Sequence, residues 1–166
     1  MPWRYLTASI RTPLAGHGVK AMYDAIEAHD FDIVMKIEEE SDIAVSRQMA
    51  KNFAQKHDFS LADVTKIATA VSELARNIYR YAKEGHIYIR KKEAGPDKGV
   101  AIEIVACDKG PGIKDIDLAL SGGYTTSDRS LGLGLSGIRR LMDSFEIRSE
   151  LGKGTMVRVE KRRRAF

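Results

Sequence analysis

The chain has 166 residues, of which 43% are hydrophobic and 30% charged, with a formal net charge of +4. That length suits one domain with a substantial core, and the composition is that of a globular protein, not a disordered or fibrous one. No apolar run reaches the ~20 residues that span a bilayer, the N-terminus lacks a signal-peptide core, and the one cysteine, Cys107, excludes an internal disulfide framework; a cytoplasmic setting without a membrane partner is expected.

Residues 1–30 contain Pro2, Pro13, Gly16 and Gly18, then a stretch in which Val19, Met22, Tyr23 and Ile26 share one helical face. They read as an N-terminal extension with one docked helix, or as a regulatory segment. Phe31 to Glu38 alternates, with Phe31, Ile33, Met35 and Ile37 on one side and Asp32, Lys36 and Glu38 on the other, which predicts a half-buried strand. Ser41 or Asp42 caps a helix running to about His57, whose expected buried stripe is Val45, Met49 and Phe53.

Ser60-x-x-Asp63 is a capping-box-like start for a longer helix ending near Gly85. Its core stripe is Val64, Ile67, Ala68, Val71, Leu74, Ala75 and Ile78. Glu73 and Asn77 are four apart and so share one flank of that helix, beside the stripe. On their own, a glutamate and an asparagine on a helix flank are equally compatible with solvated surface. His86 to Lys92 alternates again, residues 94–99 form a turn, and Val100 to Cys107 returns antiparallel as a buried strand. Leu135, Ile138, Leu141 and Met142 mark a further helix. Phe145 to Ser149, a turn over Glu150–Gly154 and Thr155 to Glu160 close a hairpin. The fold class is therefore α/β in the α+β sense: a two-layer sandwich of about five mostly antiparallel strands, with helices on one face and the other face more exposed than in a doubly wound fold. Lys161-Arg162-Arg163-Arg164 begins a basic tail, residues 161–166. Without interleaved aromatics it reads as a solvated end, and nucleic acid is not an expected partner. His17, His29, His57 and His86 show no metal-ligand spacing, and Cys107 reads as a small apolar filler.

Chemistry concentrates where the buried strand ends. Asp108-Lys109-Gly110-Pro111-Gly112 follows it directly, then a polar stretch over residues 115–131, then Gly132-Leu133-Gly134-Leu135-Ser136-Gly137 opening a helix. Glycines let a backbone approach a ring or phosphate, and the first turn of a helix offers free N–H groups to anions. A lone carboxylate at a strand end accepts from an exocyclic amine, as adenine carries. Neither a Walker A loop nor a clear dinucleotide fingerprint is present.

Four pieces taken together, Glu73-Leu74-Ala75-Arg76-Asn77, Asp108–Gly112, Gly132–Gly137 and Gly152-Lys153-Gly154-Thr155, resemble the N, G1, G2 and last boxes of the Bergerat ATP-binding fold. They occur in that family's order and at about its spacing over residues 32–160, which places the kinase domain at 31–160. The resemblance implies Glu73 as catalytic base, Asn77 as ligand of Mg²⁺, and Asp108 as adenine anchor supported by Thr155. It implies ATP as cofactor, with Gly110, Gly112, Ile113, Gly132, Leu133, Gly134 and Leu135 shaping the pocket. Residues 115–131 would form the ATP lid, with Arg129 its one cation, either reaching the γ-phosphate or facing solvent.

The size of the chain resembles the small anti-sigma-factor-type serine/threonine kinases. Ser72–Tyr79, Asp108-x-Gly110-Pro111-Gly112-Ile113 and Arg140-Leu141-Met142-Asp143-x-Phe145 are similar to the RsbT-type switch kinases of the stressosome. That resemblance implies phosphorylation of STAS-domain scaffold proteins and, after release, activation of a PP2C-type phosphatase upstream of a stress sigma factor. It leaves a homodimer open. Residues 1–30 depart from the short family members. Two other readings stand beside it: an anti-sigma factor that sequesters a sigma factor directly, and a nucleotide-gated binding module without turnover.

Overall fold

The structure is a computed structural model, described here over residues 6–8, 23, 26, 30–96, 99–121 and 134–164. Six strands form one sheet: β1 (Leu6–Ala8), β2 (Ile33–Ile37), β3 (Gly85–Glu93), β4 (Val100–Asp108), β5 (Ser144–Glu150) and β6 (Gly154–Arg162), in the order β1-β5-β6-β4-β3-β2. Every neighbouring pair is antiparallel. The strand beyond the expected five is β1, which lies within the N-terminal extension and pairs with β5 through Leu6–Ile147, Thr7–Glu146 and Ala8–Phe145.

Helices α1 (Ser41–Lys56) and α2 (Leu61–Asn77), a five-residue helix α3 (Ile116–Leu120) and α4 (Gly134–Leu141) complete the described elements. Ser60 caps α2 as its sequence predicts, its hydroxyl accepting from the Asp63 N–H at 3.2 Å. The α2 stripe is buried along its whole length, against Ile87, Ile89, Ile102, Ile104, Val157 and Val159 of the sheet. Each such side chain taken from water contributes about 1.5–3 kcal/mol. The helices thus share one face of the sheet, as expected of a two-layer sandwich.

Three expectations for residues 31–56 need correction. On α1 the buried residues are Ser46, Ala50 and Ala54, with Phe53 half-buried, while Val45 (54% exposed) and Met49 (38%) point outward. Small residues four apart let α1 lie close to the core, and that close fit wins over the larger hydrophobes. The α1 cap also differs: the Asp42 carboxylate accepts from the N–H groups of Glu38 and Glu39 at 3.0 and 2.9 Å, tying down the preceding turn. Phe31 does not join Ile33 and Met35. It precedes β2 and packs on the opposite face against Tyr88, ring centroids 5.2 Å apart, under Arg90.

The outer face is accordingly not simply exposed. One end carries a second apolar cluster of Ile26, Val105, Cys107 and Met156, with Tyr23, Phe31 and Tyr88 packed on it. The other carries an ion-pair ladder in which Arg90 and Lys92 hold Glu103 at 3.1 and 2.9 Å, and Lys92 reaches Glu160 at 2.7 Å. Burial alone would raise the Glu103 carboxyl, but Lys92 and Arg90 outweigh it and hold the group below its ordinary value. Cys107 behaves as the expected apolar filler, fully buried, its thiol pushed up by desolvation.

Part of the basic run is not a solvated end either. Lys161 and Arg162 belong to β6, and Lys161 is 3% exposed. Its ammonium donates to the Leu141 carbonyl at 3.2 Å and faces Asp143 at 3.4 Å and Asp63 at 3.7 Å. Arg163 donates to the His57 carbonyl at 2.9 Å. Among the described residues, no helix is long and apolar enough to cross a membrane.

Candidate functional site

Near its start, α2 is tied to the sheet by Asp63, which faces Lys161 of β6 at 3.7 Å. Fourteen residues separate Asp63 from Asn77, a helical rise of about 21 Å. Six residues separate Lys161 from Thr155, about 20 Å of strand. From the Asp63–Lys161 contact near its start, α2 runs to Asn77, and the next residue, Ile78, lies against Gly85, the strand partner of Asp108. There Thr155 pairs with Asp108, and Asp108 pairs on its other side with Gly85, so Asp108 lies at the common end of three central strands. Two sequence boxes far apart in the chain meet by this geometry.

The helix does not run to Gly85 as expected. Regular α geometry stops at Asn77, and Ile78–Ala82 form a π turn ended by Lys83 at a φ of 71°. Such wide turns are uncommon and frequent at functional sites. It carries the chain from Asn77 down to the Asp108 loop, where the space beside Gly110 is filled by Ala82. Glu73 is buried on α2, and its Oε1 accepts from the Arg76 guanidinium one turn on. Asn77 is half-buried.

Asp108 terminates β4 facing inward, because Ile102, Ile104 and Ala106 point to the helices and side chains alternate. Its Oδ1 accepts from the Gly110 N–H at 2.9 Å, and the Thr155 amide also supports the carboxylate. Burial nevertheless dominates and pushes this carboxyl above its ordinary value. The Asp108 loop is clasped by the β5–β6 turn. The Pro111 carbonyl accepts from Gly152 N–H at 2.9 Å, and the Ile113 N–H donates to the Ser149 hydroxyl at 2.7 Å. Ser149 in turn lies 2.8 Å from the Thr155 hydroxyl. Gly112 sits so close that a Cβ there would stand 2.4 Å from the Glu150 carbonyl oxygen. A Cβ on Gly154, at a φ of 126°, would stand 2.0 Å from the Asp108 carbonyl oxygen.

The structure thus gathers Asp108, Gly110, Gly112, Ile113 and Thr155 into one corner and aims the end of α2 at it. Gly134 opens α4 and Leu135 packs against the core. Gly132, Leu133 and Arg129 lie outside the described residues. So does most of the expected lid, whose first part is the short helix α3, capped by Asp115 on the Leu118 N–H and anchored by buried Ile116. Sequence reasoning missed Ser149, the hydroxyl joining the two glycine-rich turns. The signal was there: β5 alternation puts it on the same face as Phe145 and Ile147, an inward polar group among apolar ones. It also missed Arg76 as the partner of Glu73.

A buried carboxylate whose two amide donors do not offset its burial has capacity for a further hydrogen-bond donor. Asn77 offers a carbonyl oxygen of the hard kind that Mg²⁺ takes. Among the described residues no group of three or more His, Cys, Asp or Glu side chains could hold a metal by itself. A Mg²⁺ at this site would therefore rest on Asn77 together with phosphate oxygens.

Comparison with known proteins bears on the same span. Residues 38–161 match the family model described as a histidine kinase-like ATPase domain. The chain is 43% identical over 127 residues to the serine/threonine-protein kinase RsbT of Bacillus subtilis (strain 168), covering 76% of this chain and 93% of that one. It is 34% identical over 119 residues to the anti-sigma F factor of Caldanaerobacter subterraneus subsp. tengcongensis, covering 70% and 82%. Among solved structures, the SiaB–SiaC complex from Pseudomonas aeruginosa aligns with a TM-score of 0.55 at 15% identity, over 86% of this chain and 98% of that one. The RsbU and RsbW domains of a Mycobacterium tuberculosis protein align with a TM-score of 0.53 at 14% identity, over 79% of this chain and 32% of that one. These two likenesses speak to the fold alone.

Proposed function

The chain belongs to the histidine kinase-like ATPase family, as one of its serine/threonine protein kinases, and on that footing we propose that it phosphorylates a STAS-domain scaffold protein. Released from the scaffold, it binds and activates a PP2C-type phosphatase in a stress sigma-factor cascade. The observation that carries the nucleotide half of this reading is Asp108. Its carboxylate is buried beyond what the Gly110 and Thr155 amides offset, so it gains from one more donor, which the exocyclic amine of adenine supplies.

In this reading Gly110, Gly112 and Ile113 hold the backbone close to the ring, and the Ser149–Thr155 hydroxyl pair keeps that corner rigid. Gly134 and Leu135 at the start of α4, with Gly132 and Leu133 preceding them in sequence, serve the phosphates, and Arg129 either reaches the γ-phosphate or faces solvent. Mg²⁺, when bound at Asn77, would neutralise phosphate charge. Glu73 takes the proton from the attacking hydroxyl. Arg76 pairs with it one turn on and is partly exposed, so a swing of the guanidinium toward solvent would free Glu73 to act.

The test is intact-mass spectrometry of a STAS-domain protein incubated with this chain, ATP and Mg²⁺, with a Glu73→Gln variant alongside. Stoichiometric phosphate gain with the native chain is expected. With the variant, the rate falls by about 10²–10⁴-fold while ATP binding persists. Equal rates from the two chains would remove Glu73 from the mechanism. A second reading, a factor that sequesters a sigma factor directly, is favoured by the 34% identity to the anti-sigma F factor. Co-purification with a sigma factor, and no phosphate gain on the STAS protein, would select it.

A further inference from the structure

Residues 107–109 turn alternate faces to two different neighbours. Asp108 points inward to the candidate nucleotide corner. Cys107 points outward and is fully covered by the cluster that contains Ile26 and Tyr23. The next outward residue, Lys109, brings its ammonium over the Tyr23 ring, 5.1 Å from the centroid. The same holds one strand over: Thr155 faces the corner, whereas Met156, paired with Cys107, faces the cluster. Tyr23 therefore stands directly behind both residues expected to meet adenine.

We propose that Tyr23 is a positioning residue for the nucleotide site, pinning the backbone at Cys107 and Lys109 from the outer face so that Asp108 is aimed at the ring from the inner one. This rests on the ATP reading above and goes beyond it, because Tyr23 belongs to residues 1–30, which that reading leaves without a role. Two contacts support it, and the surroundings of the phenol agree with them. The Lys109 cation lies over the ring. Tyr23 packs on the cluster holding Val105, Cys107 and Met156. Desolvation, with the nearby Cys107 and Asp108, raises the Tyr23 phenol far above its ordinary value, which marks how close it lies to both. The two neighbouring strands hold the Asp108 backbone in the plane of the sheet, and Tyr23 adds contact on the outer face at the residues either side of it.

Two consequences follow. Loss of the ring weakens nucleotide binding without touching the nucleotide. By reciprocity, a bound nucleotide tightens the cover over Cys107.

The test uses ADP binding by calorimetry on the full chain and labelling of Cys107, the one thiol, by an aromatic disulfide reagent. Tyr23→Ala is expected to bind ADP about two- to fivefold more weakly, the factor a partly exposed cation–π contact is worth. Tyr23→Phe restores the native value. Lys109→Met shows a similar loss, and the Tyr23→Ala/Lys109→Met double variant is no weaker than either single change. In the native chain, saturating ADP slows Cys107 labelling. Equal ADP affinity of native and Tyr23→Ala chains, losses that multiply in the double variant, or labelling indifferent to ADP would each overturn the proposal. Should Tyr23→Ala fail to fold, Lys109→Met and the labelling of the native chain decide alone. A native chain that binds no ADP instead sinks the proposed function and the coupling with it, an outcome distinct from the others.

Discussion

Gly152 and Gly154 stand two residues apart in one turn, yet alanine at each should have different consequences. A Cβ at Gly152, where φ is 77°, meets nothing within 4 Å, so the cost is the left-handed backbone alone, about 1–2 kcal/mol. At Gly154 the φ is 126° and the Cβ falls 2.0 Å from the Asp108 carbonyl oxygen and 2.8 Å from its carbonyl carbon. No side-chain rotation relieves a clash with backbone. The Asp108–Thr155 rung must open instead, adding about 1 kcal/mol of hydrogen bond to about 1–3 kcal/mol of backbone strain. For a domain of this size, about 3 °C per kcal/mol makes the Gly154→Ala loss roughly 6–12 °C and the Gly152→Ala loss roughly 3–6 °C. Thermal unfolding followed by circular dichroism measures both. Gly154→Ala should also lose nucleotide binding, since the rung it breaks carries the anchor, while Gly152→Ala keeps it. Equal melting temperatures for the two variants would refute the argument that contact with Asp108 fixes the residue at 154.

Asp108→Asn should raise the melting temperature at neutral pH while abolishing nucleotide binding, a trade of function for stability. The folded-state carboxyl is raised by burial, so its stabilising contribution is present at low pH and lost as pH rises through the folded value. The advantage of asparagine therefore shrinks as pH falls below the ordinary aspartate range, which melts from pH 3 to 8 will show; a constant difference across that window would contradict it. Ser149→Ala leaves the Ile113 N–H without its partner and should cost about 1–3 kcal/mol, read as a shifted urea midpoint at unchanged slope. Lys161→Ala strands Asp63, itself 5% exposed, and should cost about 3–5 kcal/mol in the same assay; a loss under 1 kcal/mol would mean Lys161 is as solvated as its basic neighbours suggest.

Much of this protein is legible in its sequence because the governing interactions are local. The alternation in β3 and β4, the 3.6-residue stripe of α2 and the Ser60 cap depend on neighbours within a turn or a strand, and each is found where its pattern puts it. The glycine-flanked aspartate is likewise a local signal, and the structure gathers that loop and the Gly152–Thr155 turn into one corner. Tertiary contact decided the rest. Val45 and Met49 outrank Ser46, Ala50 and Ala54 in hydrophobicity, but only small residues let α1 approach the core, so the buried stripe sits one residue further along. Lys161 reads as part of a basic tail until Asp63, ninety-eight positions earlier, is found beside it. The π turn after Asn77 has no marker in Ile78–Ala82 that a regular helix would not share. Tyr23 and Ile26 carry a helical periodicity, but nothing in their spacing says that they cover the reverse side of Asp108. Sequence fixes what a segment tends to become on its own; which of its faces is buried, and against what, depends on surfaces that come together only when distant parts of the chain have met.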